Sequence, residues 1–139
     1  MNILVIDGQG GGIGRQLITA IKQEIPSAFI TAIGTNSMAA MNMLKAGADE
    51  GASGENPVVV CCRKAAIIVG PVGIAIADSM LGEITPKMAE AVARSNAKRI
   101  LIPYNHCGNV IVGIPNMSMS ALIRLAVEEI KRDEASSGG

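Results

Sequence analysis

The chain has 139 residues, of which 49% are hydrophobic and 17% are charged, and twelve basic residues balance twelve acidic ones. This composition excludes a disordered chain, and the length fits one domain with a substantial core. Because there is no excess of positive charge, and Phe29 and Tyr104 are its aromatic residues, we expect no nucleic-acid partner.

The apolar runs and the cysteines indicate the compartment. The longest apolar run, residues 65–77, is interrupted by Gly70-Pro71 and Gly73 and is too short for a membrane span. The chain begins directly with a strand pattern and has no signal-peptide core. Three cysteines, with Cys61 and Cys62 adjacent, suit neither a secreted disulfide framework nor a zinc site. We therefore expect a cytoplasmic protein with no membrane contact and no bound metal.

The first third of the chain predicts two strand–helix pairs. Residues 3–6 form an apolar run that predicts a buried parallel strand, and residues 13–25 have apolar side chains at helical spacing. A second strand is predicted at residues 29–33, and a helix at about residues 37–46. Residues 48–56 are polar and contain two glycines, so they predict a loop.

The middle of the chain continues this alternation. Residues 58–64 fit either a helix or a strand. The preceding Asn56-Pro57 favours a helix, and three valines favour a strand. Residues 66–69 predict the third strand, a helix begins at Thr85-Pro86 and reaches about residue 96, and residues 99–102 predict the fourth strand. A fifth strand is predicted at residues 110–114. Because a short link separates it from the fourth, we expect it to be antiparallel.

The fold class follows from this order of elements. A final amphipathic helix is predicted at residues 118–132, and residues 135–139 predict a flexible tail. Residues 1–134 are therefore expected to form a single Rossmann-like α/β domain, doubly wound around a mainly parallel sheet of about five strands. The carboxyl ends of parallel strands meet at one edge of the sheet, here called the rim, and a ligand is expected there.

The loop after the first strand is the most informative motif. Five of the seven residues from Gly8 to Gly14 are glycine. A strand, a glycine-rich loop and a helix in this order place unpaired N–H groups at the positive end of the helix dipole, which favours an anion. We therefore expect a phosphate-bearing small molecule, a nucleotide or dinucleotide. The residues expected to bind it are Gly8, Gln9, Gly10, Gly11, Gly12, Ile13, Gly14, Arg15, Thr35, Asn36, Gly70, Gly73 and Asn105.

Two standard nucleotide motifs do not fit this loop. The P-loop needs a lysine and a hydroxyl residue where this chain has Arg15 and Gln16, and the pattern G-x-G-x-x-G fails in every frame. The spacing Gly8-x-x-x-Gly12-Ile13-Gly14 is similar to the turn of short-chain dehydrogenases, and this resemblance implies NAD or NADP as a cofactor. Those enzymes also need a tyrosine followed four residues later by lysine, whereas Tyr104 is followed by Gly108. An NAD(P)-linked enzyme is therefore an alternative only.

A further resemblance extends over nearly the whole chain. It is carried by the segments DGQGGGIG at residues 7–14, GTN at residues 34–36, GPVGI at residues 70–74 and LGEITP at residues 81–86. These segments resemble those of a family of small bacterial proteins of unknown function. The resemblance implies a bacterial origin and a size class, and it implies no activity.

The sequence also offers candidates for catalytic residues. If the protein is an enzyme, its reactive groups are expected at the rim, among Asp7, Thr35, Asn36, Tyr104, Asn105 and His106. His106 is the best candidate, because a histidine has a pKa near neutral and this is the only one. Asp7 is otherwise expected to cap the glycine turn, and Asp78 and Glu83 are expected to be solvated.

Self-association is also expected. A mean hydropathy of +0.38 with zero net charge is unusual for a small monomer. We therefore predict a homo-oligomer, most simply a homodimer. The contact is expected through the helix with Met38 and Met41 or through the last helix with Leu122, Leu125 and Ile130. A ligand-free homo-oligomeric interaction module, whose glycines serve packing alone, is the alternative to ligand binding.

Overall fold

Five parallel strands form the centre of the structure. The computed structural model describes residues 1–104 and 108–138. The strands are β1 (Asn2–Asp7), β2 (Phe29–Gly34), β3 (Glu50–Ser53), β4 (Ile67–Pro71) and β5 (Lys98–Ile102). The helices are α1 (Gly12–Glu24), α2 (Ser37–Lys45), α3 (Glu55–Cys62), α4 (Pro86–Arg94) and α5 (Met119–Gly138), with a 3₁₀ turn at Val72–Ala75. The strand order is β3-β2-β1-β4-β5, which is the order of a Rossmann-like doubly wound sheet.

The sheet is buried on both faces. Alternate side chains of a strand point to opposite faces, so Ile3 and Val5 pack with α1, α2 and α5, whereas Leu4 and Ile6 pack with α3 and α4. These four side chains of β1 are at most 1% exposed. An apolar run without alternation is typical of a parallel strand covered by helices on both sides. The predicted α/β fold with a five-stranded sheet is confirmed.

The prediction of an antiparallel last strand is wrong. All four strand pairings are parallel, and within the described part of the chain residues 108–118 contain no strand. Val110 and Val112 are 83% and 91% exposed, so this apolar run has no core to cover it. The fifth strand is instead β3, which lies in the segment predicted as a loop. All four of its residues are exposed at the sheet edge, so it has no apolar pattern from which to predict it.

Residues 58–64, which the sequence left open, are largely helical. α3 begins after Gly54 and buries Val58 and Cys62, which are four residues apart and therefore lie on one face. Pro57 lies in the first turn, where a missing N–H costs little.

The predicted start of α4 is confirmed, because the hydroxyl of Thr85 accepts the N–H of Met88 at 3.2 Å and Pro86 is the first helical residue. α5 is longer than predicted and includes residues 135–138. The flexible tail stays a prediction. Among the described residues, no helix has the length and apolar character that crossing a membrane requires.

Candidate functional site

A cavity of about 350 Å³, here called the rim cavity, lies at the carboxyl edge of the sheet. The loop after β1 forms one wall, and Pro71 of β4, Met80 and Tyr104 approach it from neighbouring strand ends. Gln16 of α1 and Met119 of α5 complete the lining. The topology therefore brings the glycine loop and Tyr104 together, as the rim argument predicts. Gln16, Pro71, Met80 and Met119 were not among the predicted site residues.

Asp7 closes the loop onto the start of α1. The residue is 4% exposed, and its two carboxylate oxygens accept the N–H groups of Gly8 and Gly14, each at 2.8 Å. Burial raises the pKa of Asp7, and the N–H groups of Gly14, Gly8 and Ile13 offset only part of this rise. The predicted capping role of Asp7 is confirmed. The N–H groups of Gly8 and Gly14 are therefore already bound to Asp7 and are not open to a ligand.

Glu83, which is half-buried, holds three segments of the rim together, a role that the sequence did not predict. Its Oε1 accepts the N–H of Gln9 at 2.8 Å, the hydroxyl of Thr35 at 2.5 Å and the side-chain amide of Asn36 at 3.0 Å. Burial alone would raise the pKa of Glu83. The hydrogen bonds from Thr35, Gln9 and Asn36 outweigh burial and lower the pKa below its ordinary value.

Sequence reasoning missed Glu83 because its partners are 74, 48 and 47 residues away. The turn that carries it folds back onto the rim through three non-glycine residues in the left-handed region, Asp78, Met80 and Leu81. The sequence signal that could have indicated Glu83 is its position in a turn motif. Glu83 lies in the LGEITP segment, between Gly82 and the start of α4 at Thr85-Pro86.

Two loop donors are left open. The N–H groups of Gly8, Ile13 and Gly14 donate to Asp7, and that of Gln9 donates to Glu83. The N–H groups of Gly11 and Arg15 donate to the backbone oxygens of Gly8 and Gly11. Within residues 1–104 and 108–138, the N–H groups of Gly10 and Gly12 have no hydrogen-bond partner. The row of free donors expected from the sequence is therefore reduced to two, and both residues line the rim cavity.

The direction of these two N–H groups follows from the peptide geometry. The oxygen of Gln9 accepts the amide of Asn36 at 2.9 Å, and the oxygen of Gly11 accepts the N–H of Arg15 at 2.8 Å. No described peptide bond is cis, so each N–H points opposite to the carbonyl that precedes it. The N–H of Gly10 therefore points away from α2, and that of Gly12 points outward from the beginning of α1.

The five loop glycines separate into two groups. A Cβ on Gly8 would lie 2.6 Å from Sδ of Met80, a Cβ on Gly14 would overlap Met43, and Gly11 has a φ of +72°. Those three glycines are required by the fold. Gly10 and Gly12 have no heavy atom within 4 Å of an added Cβ and no positive φ. Nothing within the described chain requires glycine at these two positions.

The structure distributes the other predicted site residues differently. Thr35 and Asn36 are near the loop, but both hold Glu83. Gly70 and Gly73 serve packing, because an added Cβ would meet the oxygen of Ile6 or the hydroxyl of Ser79. Arg15 lines a neighbouring cavity between α1 and α5. Asn105 and His106 lie outside the described residues, so the catalytic prediction for His106 stays a prediction.

The adjacent cysteines behave as packing residues in the structure. Cys62 is buried and Cys61 is half-buried. Burial raises the pKa of Cys62 to about 11, so its thiol is protonated at neutral pH. Among the described residues, no three His, Cys, Asp or Glu side chains come together in a way that would hold a metal ion.

Comparison with known proteins adds a family and a fold. A family model described as a domain of unknown function (DUF3842) matches residues 2–135, which confirms the resemblance found in the sequence. A search of curated proteins finds no match. The crystal structure of a dodecameric FMN-dependent UbiX-like decarboxylase from Escherichia coli O157:H7 is similar, with 16% identity and a TM-score of 0.48. The match covers 94% of this chain and 76% of that chain. At this similarity, its cofactor and assembly describe that protein alone.

Proposed function

The chain belongs to the DUF3842 family, whose function is unknown, and we propose that it binds a phosphate-bearing small molecule of nucleotide size in the rim cavity. The N–H groups of Gly10 and Gly12 donate hydrogen bonds to the phosphate. One observation carries this proposal. These two glycines line the cavity, have open donors, and are the two loop glycines that no packing contact or backbone angle requires. A ligand that approaches the backbone closely explains why they are glycine.

The size and lining of the cavity support a ligand with a ring. A volume of about 350 Å³ lies in the range of small-molecule sites. Tyr104 is 49% exposed and lines the wall, where its ring offers a stacking surface for a base. Met80 and Met119 add flexible apolar contacts, and Gln16 adds an amide. These groups suit a nucleotide or one half of a dinucleotide.

The charges at the rim determine which donors a phosphate uses. Asp7 and Glu83 place two carboxylates beside the loop, and they take the inner N–H groups. A phosphate therefore contacts only the two outer donors. There it gains from the dipole of α1, a contribution of about 0.3–1 kcal/mol at an exposed site. We expect modest affinity that falls with salt.

A thermal-shift panel tests the proposal. AMP, ADP, NAD⁺ and ribose 5-phosphate are screened, and a phosphate ligand at one hundred times its Kd should stabilise the protein by about 2.7 kcal/mol. Gly10→Ala and Gly12→Ala should each remove the shift, because a methyl group fills the open space beside the donor. Ser37→Ala, an exposed change outside the cavity, is the control. A flat response of the wild type to every phosphate would contradict the proposal and favour the ligand-free module.

We also propose self-association through α2, since this helix presents an apolar face to solvent. Met38, Met41 and Leu44 are 64%, 56% and 40% exposed, whereas Ala39, Ala40 and Met43 pack inward. The alternative contact surface on α5 exposes fewer apolar side chains. Ile130 is fully buried and Leu122 is partly buried against the core of the same chain, which leaves Leu125 as the exposed residue of the predicted three. Exposed apolar side chains grouped on one helix are typical of an interface.

A further inference from the structure

A second cavity begins beside the rim cavity and runs between α1 and α5. It has a volume of about 510 Å³ and is called the α1–α5 groove here. Gln16 lines both cavities, and Met119 lines the rim cavity while the next residue, Ser120, lines the groove. At the far end, Lys131 is paired with Glu24 at 3.2 Å. The two helices therefore start together at the rim, and the rim cavity and the groove adjoin each other at Gln16.

The charges in the groove are unevenly distributed. Arg15 and Arg124 lie in the half next to the rim, since Arg15 precedes Gln16 and Arg124 is one turn after Ser120. Neither guanidinium forms an ion pair with any residue that the structure describes. Lys131, in the far half, is already paired, and no lysine or arginine lines the rim cavity. The uncommitted positive charge of the two cavities therefore belongs to these two arginines.

The surface around the two arginines is apolar with a few hydroxyl groups, which fits the uncharged part of a ligand. Ile123 and Val127 of α5 are buried and form an apolar floor with Ala20 of α1. The hydroxyls of Thr19 and Ser120 also line the groove. Acidic residues are in the far half, where Glu24 pairs with Lys131 and Glu128 is exposed. An anionic group is thus favoured near the rim and disfavoured further along the groove.

We propose that the ligand of the rim cavity extends past Gln16 into the α1–α5 groove and carries a second anionic group, which Arg15 and Arg124 bind. This inference rests on the proposed function. The second group is a phosphate or a carboxylate, because a guanidinium donates paired hydrogen bonds to either one. The ligand class is therefore a nucleotide with a second anionic end, and a simple mononucleotide fills only the rim half of the site.

Calorimetric titration with two matched pairs of ligands tests this. NADP⁺ against NAD⁺ isolates a distal phosphate, and adenylosuccinate against AMP isolates distal carboxylates. For at least one pair, the ligand with the additional anionic group should bind tenfold or more tightly. Arg15→Gln and Arg124→Gln should each remove most of that gain and change AMP affinity less than threefold. Arg132→Gln, which is exposed on α5 outside the groove and paired with Glu129, is the matched control and should keep the gain.

The outcomes separate this inference from the function on which it rests. If AMP binds and Gly10→Ala abolishes that binding, but neither pair shows a gain, the second anionic site is refuted and the proposed function stands. A gain that persists in both groove variants also refutes it. If neither these four ligands nor ADP and ribose 5-phosphate bind the wild-type protein, the proposed function itself fails.

Discussion

Replacing Gly14 and Gly12 by alanine should have opposite effects on stability, although the two residues are neighbours in the first turn of α1. A Cβ on Gly14 would overlap Sδ of Met43, which is fully buried, and would lie 3.1 Å from Cβ of Asp7. Overpacking of this kind costs about 1–3 kcal/mol. A Cβ on Gly12 meets nothing within 4 Å. There, the reduced freedom of the unfolded chain should stabilise the protein by about 0.4–1 kcal/mol.

Urea unfolding followed by circular dichroism measures both variants against the wild type, since the chain has no tryptophan. Gly14→Ala also gains the entropic term, so we expect a net loss of about 1–2 kcal/mol in the free energy of unfolding. Met43→Ala in the Gly14→Ala background should cost less than it does alone, with a coupling energy of about 0.5 kcal/mol or more. The reasoning is refuted if Gly14→Ala is as stable as the wild type, or if Gly12→Ala is clearly destabilised.

Three further predictions concern charge and assembly. The lowered pKa of Glu83 adds stability above pH 4.5 that is lost as the pH falls through its folded-state pKa, so Glu83→Gln should flatten the acid limb of stability. The raised pKa of Asp7 has the opposite sign. Its contribution is present below pH 3.8 and is lost as the pH rises through the folded value, and Asp7→Asn should remove that slope in pH-dependent urea unfolding. Light scattering should give a dimer for the wild type and a monomer of 14.3 kDa for Met41→Glu; a wild-type monomer at every concentration contradicts self-association.

The elements predicted correctly are those whose signals are local. β1, β2 and β4 are largely apolar because a parallel strand that is buried on both faces does not alternate, and the edge strand β5 still carries the apolar run Ile100–Ile102. Helix starts are similarly readable, because a cap such as Asn36 or Thr85 satisfies an N–H only three residues away. The glycine loop could likewise be placed at the rim, since a strand and a helix flank it directly in the chain.

Strand pairing at the edges required the tertiary structure. The four residues of β3 are exposed, and the strand pairs with β2, where the hydroxyl of Thr31 donates to Glu50 at 2.8 Å. Residues 110–114 have the apolar character of a strand but find no partner within the described chain. An apolar run in a sequence indicates a buried segment. An exposed edge strand such as β3 buries no side chains and therefore has no apolar run.

The sequence by itself determined the fold class, the position of the glycine loop and the role of Asp7 as a cap, because each depends on residues close together in the chain. Only the tertiary structure decided which loop donors are free. Glu83 reaches Gln9 across 74 residues, and it takes an N–H that the sequence leaves open. Packing likewise separates Gly8 and Gly14, which neighbours require to be glycine, from Gly10 and Gly12. Hydrogen bonds and close contacts between distant segments have no fixed spacing in sequence, so their partners become known only when the chain is folded.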